Sequence, residues 1–203
     1  MNKKSRTLWM VQTAILSAII ILMAFTPLGY LRVGIIEITF LTIPVVIGAI
    51  LIGPAAGAFL GGVFGATSFI QALGMSPFGA ALLAINPVYT FILTMVPRLL
   101  MGWLTGVIFR ALMKVDKTKT WSYIVAALSG AVLNTVLFVG TLFLLFYNTD
   151  YLQSFGENFL AILGVLIGLN ALLEAIICMI VGGAITKGLA VALKHNRAVS
   201  GTP

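Results

Sequence analysis

Residues 86–100 read Asn86-Pro87-Val88-Tyr89-Thr90-Phe91-Ile92-Leu93-Thr94-Met95-Val96-Pro97-Arg98-Leu99-Leu100, an apolar run interrupted by one guanidinium. An arginine near the centre of a bilayer costs about 2.5–3.5 kcal/mol on insertion scales. Its pKa is too high for it to escape that cost by losing a proton. A helix that carries Arg98 through a membrane therefore belongs to a bundle that supplies an acidic partner, a polar cavity, or both. Such a residue marks the centre of an anion site by default.

The surrounding chain is that of an integral membrane protein. Of its 203 residues, 61% are hydrophobic and only 8% charged, against about 25% charged in soluble domains. Mean hydropathy is +1.14. The basic start Lys3-Lys4-Ser5-Arg6 followed by apolar residues resembles a signal peptide, but the run from Leu8 to Pro27 approaches the ~20 residues of a membrane span. Six spans are expected, at about 8–27, 35–52, 55–73, 85–113, 121–147 and 158–191. Together they are expected to form a single six-helix, all-α domain over 1–203 in a cell membrane.

The charges set the expected orientation. With both termini cytoplasmic, Lys3, Lys4, Arg6, Arg110, Lys114, Lys117, Lys119, Lys187, Lys194 and Arg197 lie inside, ten of the twelve basic residues. The outer loops keep Arg32, Asp150 and Glu157, so the excess of Lys and Arg falls on the cytoplasmic side, as the positive-inside rule describes. The net charge of +7 is thus a topology signal, and no nucleic-acid partner is implied. Gly53-Pro54-Ala55-Ala56-Gly57 makes a tight inner turn. Three longer outer connections, 26–35, 74–83 and 148–158, are expected to cover a pocket that opens outward.

At 1.5 Å rise per residue, depth follows from position. Arg98, Asn134, Asn170 and Glu174 fall at similar mid-membrane depth on three spans, with Asn170 and Glu174 on one helical face. Asn86 and Tyr89 lie nearer the outer end of span four, and Thr67, Ser68 and Gln71 near that of span three. Glu37 opens span two beside Arg32 in the first outer loop, and these two charges are candidates for a gate. Two readings stay open. Arg98 and Glu174 can form an ion pair that only holds the bundle, and the two asparagines can bond only across helices. The alternative is a polar ligand site, and Arg98 favours a ligand bearing a carboxylate or phosphate.

Other patterns narrow the field. Gly57, Gly61 and Gly65 recur every four residues, which reads as close packing of span three. Ala14 and Ala18 give span one a small-residue face near the cytoplasmic side. There is no phosphate-binding loop, so the chain is not expected to hydrolyse ATP itself. Cys178 is the only cysteine and His195 the only histidine, too few for a disulfide framework or a metal centre. No serine or cysteine has a recognisable base, so no enzyme and no cofactor are expected.

The stretch Ile43-Pro44-Val45-Val46-Ile47-Gly48 through Gly53-Pro54-Ala55-Ala56-Gly57 to Gly61-Gly62-Val63-Phe64-Gly65 resembles helices two and three of the substrate-binding subunits (S components) of energy-coupling factor transporters. Those are prokaryotic vitamin importers. Ala14-Ile15-Leu16-Ser17-Ala18 is similar to the pattern by which such subunits engage a transmembrane coupling protein. Val96-Pro97-Arg98 and Gly130-Ala131-Val132-Leu133-Asn134-Thr135 are most similar to the pantothenate-type members. The resemblance implies a vitamin-binding subunit that works with the coupling protein and two ATPases, and that topples in the membrane to release its cargo. Pantothenate, with one carboxylate, two hydroxyls and an amide, suits Arg98 and a few asparagines. Folate, riboflavin, pyridoxine or hydroxymethylpyrimidine are the rivals within the class. A non-transport structural membrane protein is the rival outside it.

Overall fold

A computed structural model describes residues 3–33, 36–116, 120–155, 164 and 171–199. Helix α1 (Lys3–Ala24) leads through a short 3-10 turn (Pro27–Gly29) into strands β1 (Tyr30–Val33) and β2 (Ile36–Thr39). Then follow α2 (Thr42–Leu51), α3 (Pro54–Ala72), α4 (Pro77–Ile85), α5 (Pro87–Val115), α6 (Trp121–Phe146) and the single turn α7 (Asp150–Gln153). The last helix, α8, covers 171–199, with a π-helical turn over Cys178–Gly182. Among the described residues, five helices are long and apolar enough to cross a membrane: α1, α3, α5, α6 and α8. Thr42–Leu51 is a shorter apolar helix.

Two expectations change here. The second span is not a full one: ten residues of α2 reach about 15 Å, half of a ~30 Å hydrocarbon core. Within the all-helical frame, the first connection is a short hairpin, β1 and β2 pairing antiparallel with Arg32 opposite Glu37 and Tyr30 opposite Thr39. The reason is legible in Ile36-Glu37-Ile38-Thr39, whose strict alternation and β-branched residues suit a strand. Glu37 therefore sits on a hairpin and does not open a helix. The connection expected over 74–83 is largely the helix α4, started by Ser76, whose hydroxyl accepts from the Gly79 N–H at 3.3 Å, with Pro77 next. The connection over 148–158 contains α7, and its residues 156–158 lie outside the described residues, as does much of the sixth span (158–191) up to 170.

The centre of the bundle is the contact between α3 and α5. A Cβ placed on Gly57 would lie 2.2 Å from the Gly102 carbonyl oxygen, and one on Gly61 would lie 2.1 Å from that of Arg98. On Gly65 it would lie 2.7 Å from the Thr94 oxygen. The glycine row thus lets backbone touch backbone, as the sequence spacing implied, and sets the depth of Arg98 relative to α3. Around this contact pack Ile20, Leu41, Val45, Leu60, Phe64 and Met101. A second cluster of Val46, Ala126, Ala127, Ala131 and Cys178 joins α2, α6 and α8. Gly53, at φ +131°, makes the turn into Pro54 that brings α3 back against α2.

Candidate functional site

A cavity of about 820 Å³ lies between α3, α4, α5, α6 and α8, within the ~300–1,000 Å³ usual for small-molecule sites. Its mouth is formed by Phe25, Thr26 and Pro27, Thr39 at the end of the hairpin, and Met75, Ser76, Phe78 and Gly79 at the start of α4. Its deep wall carries Arg98, Asn134 and Glu174. Three polar residues from α5, α6 and α8 therefore meet at one depth, as their positions in the sequence implied.

Arg98 is 9% exposed. Its Nη1 donates to the carbonyl of Leu93 at 3.1 Å. Its guanidinium carbon sits 4.2 Å from the ring centre of Phe138 and 5.4 Å from that of Phe64, within the ~6 Å range of cation–π attraction. Glu174, also 9% exposed, accepts two hydrogen bonds at Oε1. One comes from the hydroxyl of Thr42 at 2.8 Å, the other from the amide of Asn134 at 3.1 Å. Arg98 also attracts Glu174 electrostatically. Because Nδ2 of Asn134 is committed to Glu174, its Oδ1 points elsewhere, and it is buried with no hydrogen-bond partner among the described residues. An amide oxygen can accept two hydrogen bonds, and this one belongs to a residue of the cavity wall.

The other expected site residues divide. Gln71 and Ser68 line the cavity, and the Gln71 amide donates to the carbonyl of Ala24 at 2.5 Å, tying α3 to the end of α1. Thr67 does not line it; its hydroxyl donates to the Phe64 carbonyl at 2.8 Å. Asn86 is the N-cap of α5, where its side-chain oxygen accepts from the N–H groups of Val88 and Tyr89 at 3.0 and 3.1 Å. Tyr89 is 41% exposed and packs edge-on against Phe146. Asn86, Tyr89 and Thr67 thus do not line this cavity, and their carboxamide, ring and hydroxyl are engaged with neighbouring parts of the helices. Asn170 lies outside the described residues. Arg32 and Glu37 are register partners in the hairpin above the mouth.

Sequence reasoning passed over Thr42, Thr90, Thr94 and Phe138. The signal for Thr42 was present: Pro44 is tolerated in the first turn of a helix and not in its interior, which would have moved the start of the second span deeper. Phe138 has no such signal, since a phenylalanine in a span is ordinarily core or lipid contact.

Residues 9–185 match the family described as ECF transporter, substrate-specific component. The chain belongs to that family. Its members are the binding subunits of transporters, so this is a multi-pass membrane protein that binds a substrate and works with an ECF module, and it is not an enzyme. The chain is 30% identical over 167 residues to the pantothenic acid transporter PanT of Lactococcus lactis subsp. cremoris, covering 78% of this chain and 80% of that one. It is 34% identical over 110 residues, 52% of each chain, to the pantothenate transporter PanT of Leuconostoc mesenteroides. In this S component the cavity wall carries a cation, an acidic side chain and an amide oxygen within one substrate-sized space.

Proposed function

We propose that this S component captures pantothenate from outside the cell and delivers it through a coupling protein and two partner ATPases. The observation that carries the reading is the pairing of Arg98 with Asn134 on one cavity wall: a fixed cation for the carboxylate, and an amide oxygen for a hydroxyl or amide N–H. The names of the two relatives favour the same vitamin. Phe138 already stacks on the Arg98 guanidinium, which leaves this face of the wall unsuited to clamping the flat rings of folate or riboflavin. The cavity opens toward the side of the hairpin and α4, and the positive-inside rule puts that side outward and both termini in the cytoplasm. Ala14 and Ala18 are exposed on α1, beside exposed Met10, Ile15 and Leu22. We assign that face to the coupling protein, and Arg32 with Glu37 to the gate.

The test is titration of the purified chain in detergent with pantothenate. Arg98→Ala is expected to weaken binding by well over tenfold, since truncating one partner of a buried charged hydrogen bond costs about 2–5 kcal/mol. Arg98→Lys should recover only part of it, because an ammonium lacks the planar fork. Normal binding by a folded Arg98→Ala chain removes Arg98 from the site, and no pantothenate binding by the unmodified chain removes the vitamin.

A further inference from the structure

Pro97 lies inside α5, four residues after Leu93. In a regular helix the N–H at position 97 would bond the Leu93 carbonyl. Proline has no N–H to give, so that carbonyl lacks its backbone donor. The donor it does receive is Nη1 of Arg98, at 3.1 Å and buried. The geometry is natural for a helix, where side chains lean back toward the N-terminus and lie over the preceding turn. The same guanidinium is faced by Phe138 at 4.2 Å. The Arg98 backbone is held in turn by α3, since a Cβ on Gly61 would strike the Arg98 carbonyl oxygen at 2.1 Å.

We propose that Pro97 is a positioning residue for the anion site: by withholding an N–H it leaves the Leu93 carbonyl to Arg98, and that bond fixes the guanidinium on the cavity wall. This rests on the reading of the cavity as the place where a carboxylate ligand binds. A proline that merely bends the helix would affect every ligand alike. A proline that aims Arg98 affects only ligands with the negative charge.

The experiment compares pantothenate with pantothenol, the analogue whose carboxylate is a neutral alcohol, on the full chain in detergent. Pro97→Ala restores the N–H and lets the backbone reclaim the Leu93 carbonyl. Its melting temperature should equal or exceed that of the unmodified chain. Its affinity for pantothenate should fall tenfold or more while its affinity for pantothenol stays the same, collapsing the ratio between them. Replacing residue 97 by lactic acid, which puts an ester oxygen where the N–H would be, should recover the ratio without the proline ring. An unchanged ratio in Pro97→Ala, or an equal loss for both ligands, overturns the proposal. Should the unmodified chain bind no pantothenate, the vitamin assignment falls and the proposal is decided without ligand, by nitrogen NMR of the Arg98 guanidinium. Hindered Nη rotation in the unmodified and ester chains, lost in Pro97→Ala, supports it; equal rotation in all three overturns it.

Discussion

Gly61→Ala adds one methyl group where the backbones of α3 and α5 touch. Its Cβ would stand 2.1 Å from the carbonyl oxygen of Arg98 and 2.8 Å from the carbonyl carbon. Close carbon–oxygen contacts begin at about 3.3 Å, so α5 must retreat from α3 by about 1.2 Å at this level. The obstacle is backbone, with no rotamer to swing aside, which puts the cost at the upper end of over-packing, about 3 kcal/mol. For a chain of this size that lowers the melting temperature by about 6–12 °C. The retreat also carries Arg98 away from the cavity wall, and misplacement of a binding group by an ångström costs roughly a hundredfold. Thermal unfolding and pantothenate titration of the purified chain read both effects. Gly140→Ala is the control: a Cβ there meets nothing within 4 Å, and the gain in helix propensity, about 0.8–1 kcal/mol, should raise the melting point slightly. If Gly61→Ala melts within a degree of the unmodified chain, the helices do not approach as closely as described, and the depth assigned to Arg98 goes with them.

Further outcomes separate the roles of single side chains. Glu174→Ala should leave the Thr42 hydroxyl and the Asn134 amide without their acceptor, destabilising the fold by about 1–3 kcal/mol per orphaned group, whereas Glu174→Gln keeps an oxygen for both and should melt much closer to the unmodified chain; equal melting of the two variants would show that the carboxyl is not the hub. Asn86→Ala removes a helix cap worth about 1 kcal/mol and should lower the melting temperature with pantothenate affinity intact, while a selective loss of affinity would return Asn86 to the site. Ala14→Trp or Ala18→Trp should bind pantothenate normally in detergent yet lose co-purification with the coupling protein and uptake in vesicles, and normal uptake would move the docking face elsewhere.

The long helices are legible because run length and charge carry the signal. The spans expected at 55–73, 85–113 and 121–147 correspond to Pro54–Ala72, Pro87–Val115 and Trp121–Phe146. The second span was not, because 35–52 looks like one apolar run unless the alternation over 36–39 and the helix start at Thr42 are weighed together. The deep wall was legible for a physical reason: charged and amide groups are so costly in hydrocarbon that Arg98, Asn134 and Glu174 stand out wherever they occur. Asn86 shows the limit of that logic. Near the end of a span an asparagine before a proline is a helix-start signal, and its polarity is consumed by the backbone. Phe64 and Phe138 show the opposite limit, since nothing in a lone phenylalanine tells that it will face a guanidinium.

The shortness of α2 has an electrostatic consequence. A helix carries roughly half a positive charge at its N-terminus, and one that spans a bilayer presents that charge to water. Since α2 begins only at Thr42, its positive end is inside the bundle, and its first residue donates to the carboxyl of Glu174 at 2.8 Å. The truncated helix thus lowers the cost of a negative charge at that depth, by about 0.3–1 kcal/mol and up to ~2 kcal/mol in a partly buried setting. Broken helices in secondary transporters aim their N-termini at anionic groups near the midplane in the same way. Here the group so addressed belongs to the protein, the Glu174 carboxyl on the same cavity wall as Arg98.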